Sequence, residues 1–138
     1  MKQLKLIGII SIWLGLDLIS KHFFYNLNYL DHSNIIDSVL NQGISRSLPV
    51  PFIVILGVSV IGIGAILRLY KTKYIWYIIT GVLLAGTLGN FIDRIVYGGV
   101  RDFINIGFFN FPIFNIADIM LTIGVWLRML QVILEKKK

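Results

Sequence analysis

The chain contains no cysteine, which excludes disulfides, thiolate catalysis and Cys-ligated metal. Charge is also scarce: 14% of residues are Asp, Glu, Lys or Arg, while 57% are hydrophobic. An ordinary soluble domain is nearer half apolar, with about a quarter of its residues charged, so this balance belongs to a membrane protein. Histidine is limited to His22 and His32, outside the His-Glu-x-x-His spacing of a zinc protease. The glycines fit neither phosphate-binding loop pattern, and the serines assemble no Ser-Lys or Ser-His-Asp set. No metal or cofactor is expected. Without repeats, low-complexity segments or a domain boundary, residues 1–138 are read as a single membrane-embedded domain.

What the chain has instead is four long apolar segments. The first runs from Leu4 to Phe24 and carries Asp17 and Lys21 near its end. Val50 to Leu67 gives 18 residues without a charge, and Tyr74 to Ile92 gives 19. The fourth runs from Ile113 to Leu134, with Asp118 near its start and Arg128 towards its end. About 20 helical residues cross about 30 Å of hydrocarbon, and a helix satisfies its own backbone in lipid. The apolar character of the first segment continues through Phe24 with no small-residue cleavage site, so it is expected to be a retained span rather than a signal peptide. The fold class expected is an all-α integral membrane protein, with four transmembrane helices and a small extracytoplasmic β-rich portion in the outer loops.

Orientation follows from the cations. With both termini in the cytoplasm, Lys2, Lys5, Arg68, Lys71, Lys73, Arg128 and the three terminal lysines lie inside, nine of the 13, and Lys21, Arg46, Arg94 and Arg101 lie outside. The positive-inside rule favours that arrangement. These cations flank hydrophobic runs instead of sharing a soluble face with aromatics, so the net charge of +6 reports topology and no nucleic-acid partner is expected. Six acids, Asp17, Asp31, Asp37, Asp93, Asp102 and Asp118, then fall towards the outer side. In the first outer connection, Asn34 to Leu40 alternates polar and apolar residues, a weak strand signal. The second holds Gly98-Gly99 and a β-prone stretch from Val100 to Phe111, whose Phe103, Phe108, Phe109 and Phe111 suit the membrane–water interface.

Ionisable groups near hydrocarbon cost about 2.5–3.5 kcal/mol on insertion scales and mark function by default. Asp102 and Asp118, flanking the stretch from Phe103 to Ala117, are the leading candidates: two carboxylates within reach of each other share a proton and activate water. Asp17 and Lys21, four residues apart, share a helical face; they form either an internal ion pair, with Lys21 snorkelling outward, or a support for the site. Asn90, Asp93 and Arg94 lie on one side of the third span beside Gly89, and an asparagine amide beside a guanidinium can hold a carbonyl. Asn115 has the position of an N-cap, with Asp118 at the third helical residue. In a first helical turn the dipole would favour an anion at Asp118 and so favour Asp102 over Asp118 as the carrier of the shared proton. Interacting carboxyls titrate as a pair, however, and the sequence does not assign the proton to one of them.

Taken in order, these residues resemble the lipoprotein signal peptidases, the type II signal peptidases of bacteria. Asp17-Leu18-Ile19-Ser20-Lys21 is similar to the family's Asp-x-x-Ser-Lys box, and Asn41-Gln42-Gly43 to its Asn-x-Gly motif. Gly89-Asn90-Phe91-Ile92-Asp93-Arg94 with Gly99-Val100-Arg101-Asp102-Phe103 resembles the third box, and Phe114-Asn115-Ile116-Ala117-Asp118 the fourth. The resemblance implies a bacterial inner-membrane aspartic endopeptidase with four spans and cytoplasmic termini. Its catalytic pair would be Asp102 and Asp118. Asn41, Asn90, Arg94 and Asn115 would line or order the substrate pocket, and Asp17 and Asp93 would support it. The implied substrate is a diacylglyceryl-modified prolipoprotein, cut just before the lipidated cysteine with its acyl chains among membrane lipid. The cyclic peptide antibiotic globomycin is the implied inhibitor. One departure stands out: after Asn41-x-Gly43 this chain reads Ile44-Ser45-Arg46-Ser47, where the family usually has small residues and then an aromatic. The other reading considered, a small proton- or cation-coupled transporter, needs polar residues along a path through the bilayer. The second and third spans offer only Ser59, Thr80 and Thr87 before Asn90.

Overall fold

The computed structural model describes residues 2–26, 35–43, 50–107 and 111–136. Their order is α1 (Lys2–Asn26), β1 (Ile36–Asn41), α2 (Phe52–Lys71), α3 (Tyr77–Tyr97), β2 (Val100–Ile104) and α4 (Ile116–Lys136). All four helices are long and apolar enough to cross a membrane. The expected Ile44-to-Ser47 departure, like His32, Phe108 and Phe109, lies outside the described residues.

Local sequence sets the helix ends. Pro51, with φ fixed at −53°, immediately precedes α2 and suits a helix start because it has no N–H to leave unpaired. Arg68 and Lys71 fall in the last turn of α2, where cations offset the carbonyl end of the helix dipole. Gly98 ends α3 in the left-handed region at φ +71°, its N–H donating to Arg94 O at 3.0 Å; a side chain is strained in that conformation.

The helix α3 is the centre of the bundle and packs against α1, α2 and α4. Gly81, Ala85, Gly86 and Gly89 are among its buried residues, and such small residues let neighbouring backbones approach closely. Val82 and Ala85 meet Ala117 and Met120 of α4 in the core, with Ile9 and Leu14 of α1 packed against them. By contrast, α2 buries only Ile55. Its exposed apolar surface is what a lipid-facing helix presents.

At one end of the bundle, β1 and β2 pair antiparallel, with Val39 opposite Asp102, Leu40 opposite Arg101 and Asn41 opposite Val100. On the other edge of β2, Ile104 and Phe114 exchange backbone hydrogen bonds of 2.9 and 3.1 Å, so the chain entering α4 is tied to the same small sheet. Two sequence expectations are corrected here. Phe103 is not an outward-facing aromatic: it is buried and stacks on Phe24 of α1 with ring centroids 5.5 Å apart, because β2 lies against α1. Lys21 does not snorkel outward: its side chain is fully buried among carboxylates, which satisfy the charge without water.

Candidate active site

Side chains alternate across a strand, and β2 uses both faces. Val100 and Asp102 face a cavity of about 250 Å³, while Arg101 faces the bundle interior and Asp93. The β1 register brings Asn41 to the same cavity, and its Nδ2 donates to Asp102 Oδ2 at 3.1 Å. The opposite wall is the start of α4. Both Asp102 and Asp118 line this cavity, together with Asn90, Arg94, Phe111 and Phe114.

A reciprocal cap holds Asp118 in place. The N–H of Asp118 donates to Asn115 Oδ1 at 3.0 Å, and the N–H of Asn115 donates to Asp118 Oδ2 at 3.2 Å. Two of the orphan donors at the start of α4 are satisfied in this way. Asn115 has a further part: its Nδ2 donates to Asp102 Oδ1 at 2.6 Å and to Asn90 Oδ1 at 3.2 Å. Asn90 in turn donates from Nδ2 to Asp118 Oδ1 at 2.8 Å. Capping and site-building, alternatives in the sequence, are performed by one side chain.

Below this layer lies a buried charge cluster. Lys21 Nζ is 2.7 Å from Asp17 Oδ2 and 3.6 Å from Asp93 Oδ2, and it donates to Asn90 Oδ1 at 3.0 Å. Asp93 accepts from the Arg101 side chain at 2.8 and 3.2 Å and from the Arg101 backbone N–H at 3.0 Å. Asp17 accepts the backbone N–H of Ala117 at 2.8 Å. All nine expected site residues, Asp102, Asp118, Asn41, Asn90, Arg94, Asn115, Asp17, Lys21 and Asp93, are therefore within one connected region. Sequence reasoning missed Arg101 as a site residue. Its signal was present, a second cation eight residues after an otherwise unmatched Asp93.

Comparison with known proteins decides the family. A profile of the family described as Signal peptidase (SPase) II matches residues 9–134. The chain belongs to the signal peptidase II family. Among similar curated proteins, the lipoprotein signal peptidase of Brevibacillus brevis is 44% identical over 88 residues, covering 63% of this chain and 59% of that one. The lipoprotein signal peptidase of Enterococcus faecalis is 42% identical over 87 residues, covering 62% and 53%. The alignments thus span little more than half the length of these relatives. A solved structure, a bacterial membrane enzyme determined by the in meso method at 2.3 Å resolution, superposes with a TM-score of 0.77 at 28% identity and covers 97% of this chain and 90% of that one. A second, at 1.9 Å, gives 0.75.

In this signal peptidase II chain the two carboxyls of the cavity have unlike surroundings. Burial, and then the negative charge of Asp118, push the Asp102 carboxyl up to about 6, against the donors Asn41 and Asn115, which favour its ionised form. Asp102 is therefore a group able to hold a proton in mildly acidic conditions. Asp118 stands in the first turn of α4, where its carboxylate accepts from Asn90 Nδ2 and from the Asn115 N–H.

Proposed function

We propose that this chain is an intramembrane aspartic endopeptidase that removes the signal peptide from diacylglyceryl-modified prolipoproteins, cutting just before the lipidated cysteine. One observation carries the reading: Asp102 and Asp118 open on the same cavity and are linked by the amides of Asn90 and Asn115. Asp118 acts as base and takes a proton from a water held between the pair. Asp102, protonated, donates to the scissile carbonyl oxygen as the water attacks. Collapse of the tetrahedral species returns a proton to the departing amine, and the pair is restored with one proton.

The remaining residues have roles that fit this scheme. Arg94, at the cavity wall, is placed to receive a substrate carbonyl through guanidinium N–H groups. Asn41 and Asn115 hold the Asp102 carboxyl at a fixed angle. Acyl chains of the modified cysteine would stay in hydrocarbon while the peptide crosses the pair, a geometry that suits a site at the end of a bundle with apolar outer faces. The excess of cations on the side of both termini supports cytoplasmic termini and a site near the extracytoplasmic face of the bacterial inner membrane. Globomycin should occupy the same cavity. The test is cleavage of a lipobox peptide by the purified protein in lipid, with and without the diacylglyceryl group on its cysteine. Cleavage of the modified peptide alone supports the reading, and equal rates on both would refute the lipid requirement.

A further inference from the structure

Asp17 on α1 and Asp93 on α3 make the same contact in two places. Asp17 accepts the N–H of Ala117, the residue before Asp118, at 2.8 Å; Asp93 accepts the N–H of Arg101, the residue before Asp102, at 3.0 Å. The two gripping carboxylates share one cation, since Lys21 Nζ stands between them at 2.7 and 3.6 Å. The remaining strong contact of that ammonium goes to Asn90 Oδ1 at 3.0 Å, and Asn90 holds Asp118 through its Nδ2 at 2.8 Å. An ammonium has no acceptor, so it fixes which end of the Asn90 amide faces it and turns the donor end to Asp118.

We infer that Lys21 is the common positioning residue of the site: one buried ammonium sets the spacing of Asp102 and Asp118 by fixing the two carboxylates that grip the backbone ahead of each. The inference rests on the peptidase reading for its catalytic consequence, but its geometry stands without it. Lys21 touches neither cavity aspartate. It acts through Asp17 on α4, through Asp93 and Arg101 on β2, and through Asn90 on Asp118.

The cluster contains two acids, Asp17 and Asp93, and two cations, Lys21 and Arg101, all buried. Removing the lysine alone would leave an uncompensated buried carboxylate, the costly case for a buried pair, so Lys21→Met by itself risks a folding failure. The double variant Asp17→Asn with Lys21→Met keeps the charge balance. It also keeps an oxygen at position 17 to accept the Ala117 N–H, and it removes the Asp17–Lys21 charge pair together with the lysine's hold on Asp93 and Asn90. The charged groups facing Asp102 are Asp118 from α4, Lys21 from α1 and Arg94 from α3, with Arg101 next to it in β2.

In the double variant, kcat on the lipidated lipobox peptide should fall about 10- to 100-fold, as expected for a small misplacement of reacting groups, with KM within about twofold. The Asp102 carboxyl, followed by infrared titration, should move to higher pH, because the Lys21 charge that lowers it is gone. A folded double variant with the wild-type kcat overturns the inference, and so does a lowered kcat with an unmoved titration. Amide exchange in the wild type is independent of how any variant folds. The N–H groups of Ala117 and Arg101 should exchange slowly together, and fast exchange at either overturns the shared grip. A wild type that cleaves no lipidated peptide would defeat the peptidase reading, while titration and exchange still decide the positioning role.

Discussion

Asn115 reaches Asp102 with its amide at 2.6 Å while its carbonyl oxygen caps the helix that carries Asp118. One side chain therefore reads the position of both carboxyl groups, and its two ends do separable work. Asn115→Ser keeps an oxygen for the cap and loses the donor to Asp102. It should retain most of the thermal stability while lowering kcat by about 10²-fold or more. Asn115→Ala loses both ends and should lose about 1 kcal/mol of stability in addition. Thermal unfolding and kcat measured on the two variants check this, and equal stability of the two would deny the cap any importance.

The carboxyl of Asp102 gives the site a pH dependence. Its folded value of about 6 exceeds the ordinary 3.8, so the folded state binds this proton more tightly than the unfolded chain. The stabilisation from that proton is complete below the ordinary value and is lost as pH rises through about 6. The Tm of the wild type should therefore decline relative to Asp102→Asn between about pH 4 and pH 7. On the proposed mechanism the rate should show an alkaline limb in the same region, as Asp102 loses its proton. Parallel Tm curves and a rate that rises through that region would contradict the assignment.

Gly89 is where α1 and α3 come closest beside the charged cluster. A methyl group placed there would meet the Asp17 carboxylate, a partner held by Lys21 and Ala117 and unable to withdraw. Gly89→Ala should cost about 1–3 kcal/mol, the range for overpacking, and should reduce activity through displacement of α4. An alanine variant with unchanged Tm would show that Asp17 has room to move.

Much of this was legible in the chain, for identifiable reasons. The second and third spans follow from uncharged runs whose length dictates a crossing helix, and the first and fourth from apolar segments that carry only a few charges. The Asn115–Asp118 cap follows from a spacing of three residues. What local pattern cannot contain is which distant group satisfies a buried one. Lys21 reads as a residue that must reach water, because its second carboxylate, Asp93, is 72 positions away. Phe103 reads as an interface aromatic, because Phe24 is not its neighbour in sequence. The third helix starts at Tyr77 rather than Tyr74, because buried Gln131 takes the carbonyl of Tyr74 and the N–H of Trp76 at 3.2 and 3.3 Å. Those backbone groups are engaged by α4 instead of by a first helical turn.

The proposed reaction, run by two carboxyls and a water, has no step for a metal ion. Saturating EDTA should leave the cleavage rate of the wild type unchanged, and a rate lost to chelation and restored by a divalent cation would contradict the scheme.

The most direct measurement is single-turnover cleavage of a diacylglyceryl-modified lipobox peptide by the wild type, Asp102→Asn and Asp118→Asn, each shown to be folded in lipid. On the proposed mechanism, loss of either carboxyl should slow bond cleavage by about 10²–10⁴-fold with peptide binding preserved. Wild-type turnover by either folded variant would contradict the account.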